Sequence, residues 1–193
     1  MATADLPDAR LRGEQSLEET LASRRSVREF TKEPLTDADI SQLLWAAQGV
    51  TEPDGLRTAP SAGALYPLEM YVAKSSGLYH FEPARHELAQ CNGKDLRQAL
   101  HGAALAQDAI SEAPAVFVIT AVYARTRGKY GDWAEPYVHM EVGHAAQNLL
   151  LQAVALNLGG VPIGALDDDR ISEILGLPNN EVPLYLIPIG HPR

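Results

Sequence analysis

The chain has 193 residues, 46% of them hydrophobic and 21% charged, and a formal net charge of −9. A chain of this length forms one domain that can bury about 70% of its unfolded surface, and its acidic balance argues against general nucleic-acid binding, which needs a broad basic face. No apolar run approaches the roughly 20 residues of a membrane span, and the opening M-A-T-A-D-L-P-D-A-R lacks the apolar core of a signal peptide.

Residues 1–14 are polar and mixed in charge and are expected to form a flexible arm, with a single domain over 15–193. Leu17 to Ala22 reads as a short helix that runs into S-R-R-S-V-R-E-F, Ser23 to Phe30, where three arginines fall within five residues. Guanidiniums clustered in an acidic chain fit a bound anion, because the rigid donor fork of Arg matches phosphate. They fit equally a solvated basic turn paired with Glu18, Glu19 and Glu29, and the stretch alone does not separate the two. Thr36, with Asp39 three residues on, reads as an N-cap. It opens a helix with the apolar stripe Ile40, Leu43, Leu44 and Ala47, and Gly49 stands at its C-cap.

Thr51 to Pro67, T-E-P-D-G-L-R-T-A-P-S-A-G-A-L-Y-P, has no periodicity. Irregular loops longer than about 12–15 residues in compact domains tend to be functional. Here Ala59, Ser61, Ala62, Gly63 and Ala64 would let backbone amides approach a flat ligand closely. Met70 to Ala73 and Leu78 to Phe81 read as strands joined by a turn over Lys74 to Gly77. His86 to Cys91 reads as a third strand and Leu96 to Ile110 as a helix. Ala115 to Val122, A-V-F-V-I-T-A-V, is a continuous apolar run expected as a central strand covered on both faces. Arg125 to Asp132 is a second basic island, read as a solvated loop tip or, alternatively, as a patch that attracts an anionic substrate or reductant.

The longest helix is expected from about Pro136 to Leu158. Val142, Ala145, Ala146, Leu149, Leu150, Ala153 and Val154 form one stripe, yet Gly143, Gln147, Leu151 and Ala155 on the other side are hardly polar. A helix apolar nearly all round is covered on all sides, which points to a homodimer with this helix at its centre. Gly159 to Gly164 ends it through a short strand and a tight turn. Asp167 to Leu175 is a small helix, and Val182 to Ile189 is the last strand, closed by G-H-P-R. The single cysteine, Cys91, has no internal disulfide partner and reads as a buried small residue, so a reducing cytoplasm is the expected location.

Several motifs are absent. Neither G-x-x-x-x-G-K-[ST] nor G-x-G-x-x-G occurs, and no G-x-S-x-G surrounds Ser61. His139 and His144 flank Glu141 but would stand about 140° apart around a helix, so no metal site is expected there. If the chain is an enzyme, its reactive group is borrowed.

Four stretches, taken in order, resemble those of the FMN-dependent nitroreductase superfamily. They are R-R-S-V-R-E-F after a short helix, A-P-S-A-G-A-L-Y-P, the long helix ending in L-N-L-G-G-V-P-I-G, and the closing I-G-H-P-R. The resemblance implies an α+β fold with a central, mainly antiparallel sheet flanked by helices. It also implies an obligate homodimer with two FMN molecules in the subunit interface. Arg24, Arg25, Ser26 and Arg28 would meet the FMN phosphate, ribityl chain and pyrimidine edge, and His191 and Arg193 would return to the phosphate. Pro162, Ile163 and Gly164 would line the ring near N5, and Pro60, Ser61, Ala62, Gly63 and Ala64 would come from the other subunit. Gln107 and Glu141 are further, less specific matches.

No side chain is implied as catalytic acid or base. Hydride would pass from NAD(P)H to flavin N5 and on to a nitro or quinone-type small molecule. The loop departs from the nitrofuran-reducing branch, which has P-S-S-x-N-x-Q-P, and is similar to that of the thiazole and oxazole dehydrogenases. Azoline oxidation in peptide or small-molecule maturation is therefore the alternative, and an FMN-binding carrier or sensor without turnover is a third reading. Gly164 stands where some nitroreductases have an acidic residue.

Overall fold

The computed structural model describes residues 3–193. Thr3–Asp5 (β1) is an edge strand, and Leu17–Ser23 (α1) opens on a capping box. In that box Glu19 N donates to Ser16 Oγ at 3.1 Å and Ser16 N donates to the Glu19 carboxylate at 2.7 Å. Asp37–Gln48 (α2) opens the same way on Thr36 and Asp39. Reciprocal caps of this kind satisfy helix-end amides that have no partner within the helix. Leu68–Lys74 (β2), Gly77–Glu82 (β3) and Glu87–Asn92 (β4) follow as a meander. After Arg97–Ala103 (α3) and Asp108–Glu112 (α4) comes Ala115–Ala121 (β5), then Tyr123–Tyr130 (α5) and the long Ala134–Ala155 (α6). Gly159–Gly160 (β6), Asp168–Leu175 (α7) and Val182–Gly190 (β7) complete the chain.

The strands form one seven-stranded sheet in the order β1-β4-β3-β2-β5-β7-β6, with every neighbouring pair antiparallel. The expected α+β class is therefore the observed one. β5 is buried along its whole length, as its unbroken apolar run requires. Phe117 and Ile119 face one core with α2 and α6, while Val116 and Val118 face a second core with α3, α4 and α7. On α6 the expected stripe is buried apart from the half-buried Val154, but Met140 is 59% exposed and Gly143, His144 and Gln147 are exposed beside it.

Four expectations meet a different arrangement. The single helix over Leu96 to Ile110 is broken into α3 and α4, because Leu105 and Ala106 take left-handed φ of 55° and 51°. The bend lets Asp167 N donate to Ala103 O at 2.9 Å, a tertiary contact with no local signal. The basic island over Arg125 to Asp132 is α5 and a following 3-10 turn rather than a loop tip. Its Arg and Lys residues are good helix formers, and Thr126 is buried beneath them. Cys91 is exposed, since it sits at the β-bulge where β3 and β4 change register. Within the N-terminal arm Thr3–Asp5 pairs with β4 and Arg10 N donates to Gln42 Oε1 at 2.7 Å; Met1 and Ala2 lie outside the described residues.

A candidate cofactor site in two groups along the longest helix

At the C-terminal end of α6 the chain folds the arginine stretch onto the sheet edge. Ser26 and Gly160 form a parallel bridge, and Val27 N donates to Gly160 O at 3.1 Å. The approach requires glycine next door, where a Cβ on Gly159 would lie 2.6 Å from the Val27 side chain. On the other side the C-terminal tail runs alongside. Thr31 N donates to His191 O at 2.9 Å, Arg193 N to Glu29 O at 3.2 Å, and Arg193 Nη2 to Phe30 O at 3.2 Å. Ile163 bridges to Leu186 of β7, which fixes the turn of Pro162, Ile163 and Gly164 beside β6. Three candidate groups remote in sequence are thus gathered: Arg24 to Arg28, Pro162 to Gly164, and His191 with Arg193.

The arginines differ in what they do. Arg25 turns back and donates to Ala22 O at 2.9 Å and Arg24 O at 2.8 Å, a cation on the negative end of α1. Arg24 and Arg28 make no ion pair among the described residues, although the chain carries an excess of acid. His191 Nε2 stands 3.9 Å from Glu33 Oε1. Gln107 lies at the elbow between α3 and α4, with its side chain donating to Ala104 O at 3.3 Å. The Asp167–Ala103 bond brings that elbow beside the segment that follows Gly164.

Pro60 to Ala64 lies elsewhere, against the N-terminal half of α6 and the end of α2. Thr58 N donates to Gly49 O at 2.9 Å and Thr58 Oγ1 to Trp45 O at 3.0 Å, which moors the loop where α2 ends. Ala62–Ala64 form a 3-10 turn with Gly63 at φ 64°, a left-handed value that favours glycine. Tyr66 N donates to Ser61 Oγ at 2.9 Å and so closes the turn. A Cβ on Gly63 would lie 2.8 Å from both Lys129 Nζ and Tyr130 Oη, so α5 packs directly on the turn.

Beneath the turn is a buried polar cluster. Glu141 of α6 is 2% exposed, and its Oε1 has no hydrogen-bond partner among the described residues. Burial pushes its carboxyl up to about 7, against the pull of the Ser61 hydroxyl and of Arg57. The Arg57 guanidinium donates to Gln48 Oε1 at 2.9 Å and lies over the Tyr66 ring 4.5 Å from its centre. Burial also lowers the Arg57 guanidinium, a shift opposed by Glu69, Tyr66 and Glu141. Sequence reasoning missed Arg57. The signal was there, since it is the one charged side chain between Gly55 and Pro67. Arg125, in the basic island, bonds to Tyr66 O at 2.9 Å and to Glu69, and so ties the loop's end to β2 and α5.

The candidate residues therefore fall into two groups. Ser61 lies beside Glu141, while Ser26 lies beside Gly160. Between Glu141 and the end of α6 at Ala155 the helix rises about 20 Å. The two groups thus meet α6 at different levels, one beside Glu141 and the other just beyond its C-terminal end. The exposed face of α6, with Met140 and Gly143, runs between them. Beside it lies a groove of ≈ 680 Å³ lined by residues 10–17, Trp45, Asn148, Leu151 and Ala155.

A model of the nitroreductase family matches residues 21–191. The chain is 46% identical over 191 residues to a Methanocaldococcus jannaschii protein named as a nitroreductase, covering 96% of this chain and 94% of that one. A crystal structure from Ralstonia eutropha JMP134, also named as a nitroreductase, superposes with a TM-score of 0.90 at 32% identity, covering 99% of this chain and 90% of the other. The NADPH:FMN oxidoreductase of Vibrio harveyi, solved with NAD+, has a TM-score of 0.69 at 26% identity and is covered over 68% of its length by 91% of this chain. The chain belongs to the nitroreductase family and is an oxidoreductase.

Proposed function

We propose that the protein is an FMN-dependent oxidoreductase that works as a homodimer, takes reducing equivalents from NAD(P)H and passes them to nitro or quinone-type small molecules. One observation carries this reading: the candidate residues form two groups, one against the middle of α6 beside Glu141 and one at its C-terminal end. Each chain holds two halves of different sites, and two chains packed across their exposed α6 faces would hold two whole ones. The NADPH and FMN in the name of the Vibrio harveyi neighbour support the choice of cofactor and reductant. A reducing cytoplasm suits an enzyme whose single cysteine has no partner.

The residues present fit FMN. Arg24 and Arg28, with His191 and Arg193 from the tail, would hold the phosphate. Bidentate guanidiniums meet its roughly −2 charge with both charge and geometry. Ser26 would bond the ribityl chain, with Arg25 as a cation behind it. Pro162, Ile163 and Gly164 would lie along the ring edge, where a Cβ at 164 would come within 3.2 Å of the Tyr185 ring. Pro60, Ser61, Ala62, Gly63 and Ala64 of the second copy would cover the ring, with Glu141 beneath them and Gln107 at the margin. When bound, FMN supplies hydride chemistry at N5. The chain's own part is to bind and orient, and to favour the reduced ring by a cation near its pyrimidine edge.

An absorption spectrum of the purified protein, before and after anaerobic NADPH, tests this reading. Flavin bands that NADPH bleaches and a quinone restores are expected. A colourless protein that takes up no FMN overturns the proposal. Bound FMN reduced no faster than free flavin assigns a carrier or sensor instead. A second reading, azoline dehydrogenation, is favoured by Ala64 and Tyr66 in the loop; bleaching by a thiazoline substrate and not by NADPH would select it.

A further inference from the structure

The cluster around Glu141 has a chemistry that the flavin reading leaves unused. Glu141 Oε1 and Arg57 Nε are both buried without partners among the described residues, and Gln48 Nε2 beside them is a third such atom. The acceptor of Gln48 is already taken by Arg57, and Ser61 Oγ already accepts from Tyr66 N. A protonated Glu141 can give its O–H only to an oxygen that already accepts one bond, such as Ser61 Oγ, and it leaves Arg57 Nε–H without an acceptor. An ionised Glu141 accepts from the Ser61 hydroxyl and attracts the Arg57 guanidinium, whose Nε–H is an orphaned donor. The two forms pull differently on the two ends of one loop, since residue 57 enters the turn and Ser61 begins it.

We propose that Glu141 is a positioning residue whose proton sets the 57–66 loop, so that ionised Glu141 draws Arg57 and Ser61 onto α6 and shapes the turn that completes the partner copy's flavin site. This rests on the flavin reading above. The other charged or titratable groups facing the cluster are Tyr66 of the loop, Glu69 of β2 and Arg125 of α5, with Lys129 and Tyr130 of α5 on the outer side of the turn. Glu69 and Arg125 are paired with each other, and Glu69 also bonds His80. Burial, the largest influence on Glu141, brings its transition to about 7. No covalent step is involved; one proton leaves to solvent as the loop tightens.

The experiment compares the FMN dissociation constant of native protein with that of Glu141→Gln at pH 6 and pH 8. The phosphate of FMN titrates in the same range, but that effect is common to both proteins and cancels in the ratio. The ratio of variant to native is expected near one at pH 6 and about fivefold or more at pH 8, where the native carboxylate is ionised. Ser61→Ala, which leaves Glu141 in place, is expected to flatten the native pH dependence in the same way. A ratio that stays constant with pH overturns the inference while leaving FMN binding intact. If neither protein takes up FMN, the flavin reading falls. NMR of the Ser61 to Tyr66 amides in the cofactor-free protein then decides the loop on its own. Shifts that follow one proton near neutrality in the native chain and are missing in Glu141→Gln support the switch, and flat shifts in both reject it.

Discussion

Val27 and Gly159 meet where the arginine stretch crosses the end of α6, and a single methyl on Gly159 would stand 2.6 Å from Val27. The contact holds the Ser26–Gly160 bridge in register and so fixes where Arg24 and Arg28 begin and end. Gly159→Ala should force Val27 outward. Overpacking of this kind costs about 1–3 kcal/mol. Urea denaturation should register that loss, and flavin fluorescence titration should register a weaker FMN complex. Unchanged affinity in a destabilised variant would separate the contact from the site.

Arg24 and Arg28 stand without ion pairs among the described residues in a chain of net charge −9. Hydrogen bonds to a charged partner contribute about 1.5–3 kcal/mol each, so Arg24→Ala or Arg28→Ala should weaken FMN binding by roughly 10- to 100-fold. Riboflavin, which lacks the phosphate, should bind native and variant proteins alike. Arg25→Ala should have a smaller effect on FMN, because that guanidinium is occupied with Ala22 O and Arg24 O. Equal losses for all three would mean that Arg25 leaves its helix end when the cofactor arrives.

Much of the fold was legible because its signals are local. Thr36 with Asp39, the apolar run of β5 and the stripe of α6 each carry their own periodicity or cap, and each forms where expected. The bend at Leu105 and Ala106 was not legible, since neither residue is Gly or Pro and the bend answers to a contact with Asp167. The four ordered motifs named the candidate residues, but nothing in their order tells that Ser61 meets the middle of α6 while Ser26 meets its C-terminal end. That separation depends on which half of α6 each loop meets. Arg57 was passed over for a related reason, as only the packed structure brings it to Gln48 and Glu141.

Met140 is 59% exposed on a face of α6 that also carries Gly143 and Gln147. If two copies meet there, a charge on that face should separate them. Met140→Asp is expected to shift the sedimentation coefficient from dimer towards monomer and to reduce FMN content in step, because each half site would lose its complement. The mutated side chain is exposed in the single chain, so the secondary structure measured by circular dichroism should remain. A variant that becomes monomeric yet keeps full FMN content would show that one chain suffices.

Glu141 gives the fold a signed dependence on pH. Its ordinary value of 4.5 is raised to about 7 by burial. Between those values the folded chain keeps a proton that the unfolded chain has released. The associated stability is therefore fully present below about pH 4.5 and falls as pH rises through 7, by ~3 kcal/mol at 1.36 kcal/mol per unit. His80 slopes the same way. Burial lowers it, but Glu69 and Glu82 outweigh burial and raise it, so its contribution is present at low pH and is also lost as pH rises. The native profile alone cannot separate the two groups, whereas Glu141→Gln keeps His80 and removes one of them. In urea denaturation the variant should match the native protein closely near pH 4 and exceed it by ~3 kcal/mol at pH 8. A stability difference that does not vary with pH would mean that Glu141 ionises in the folded chain as it does in water.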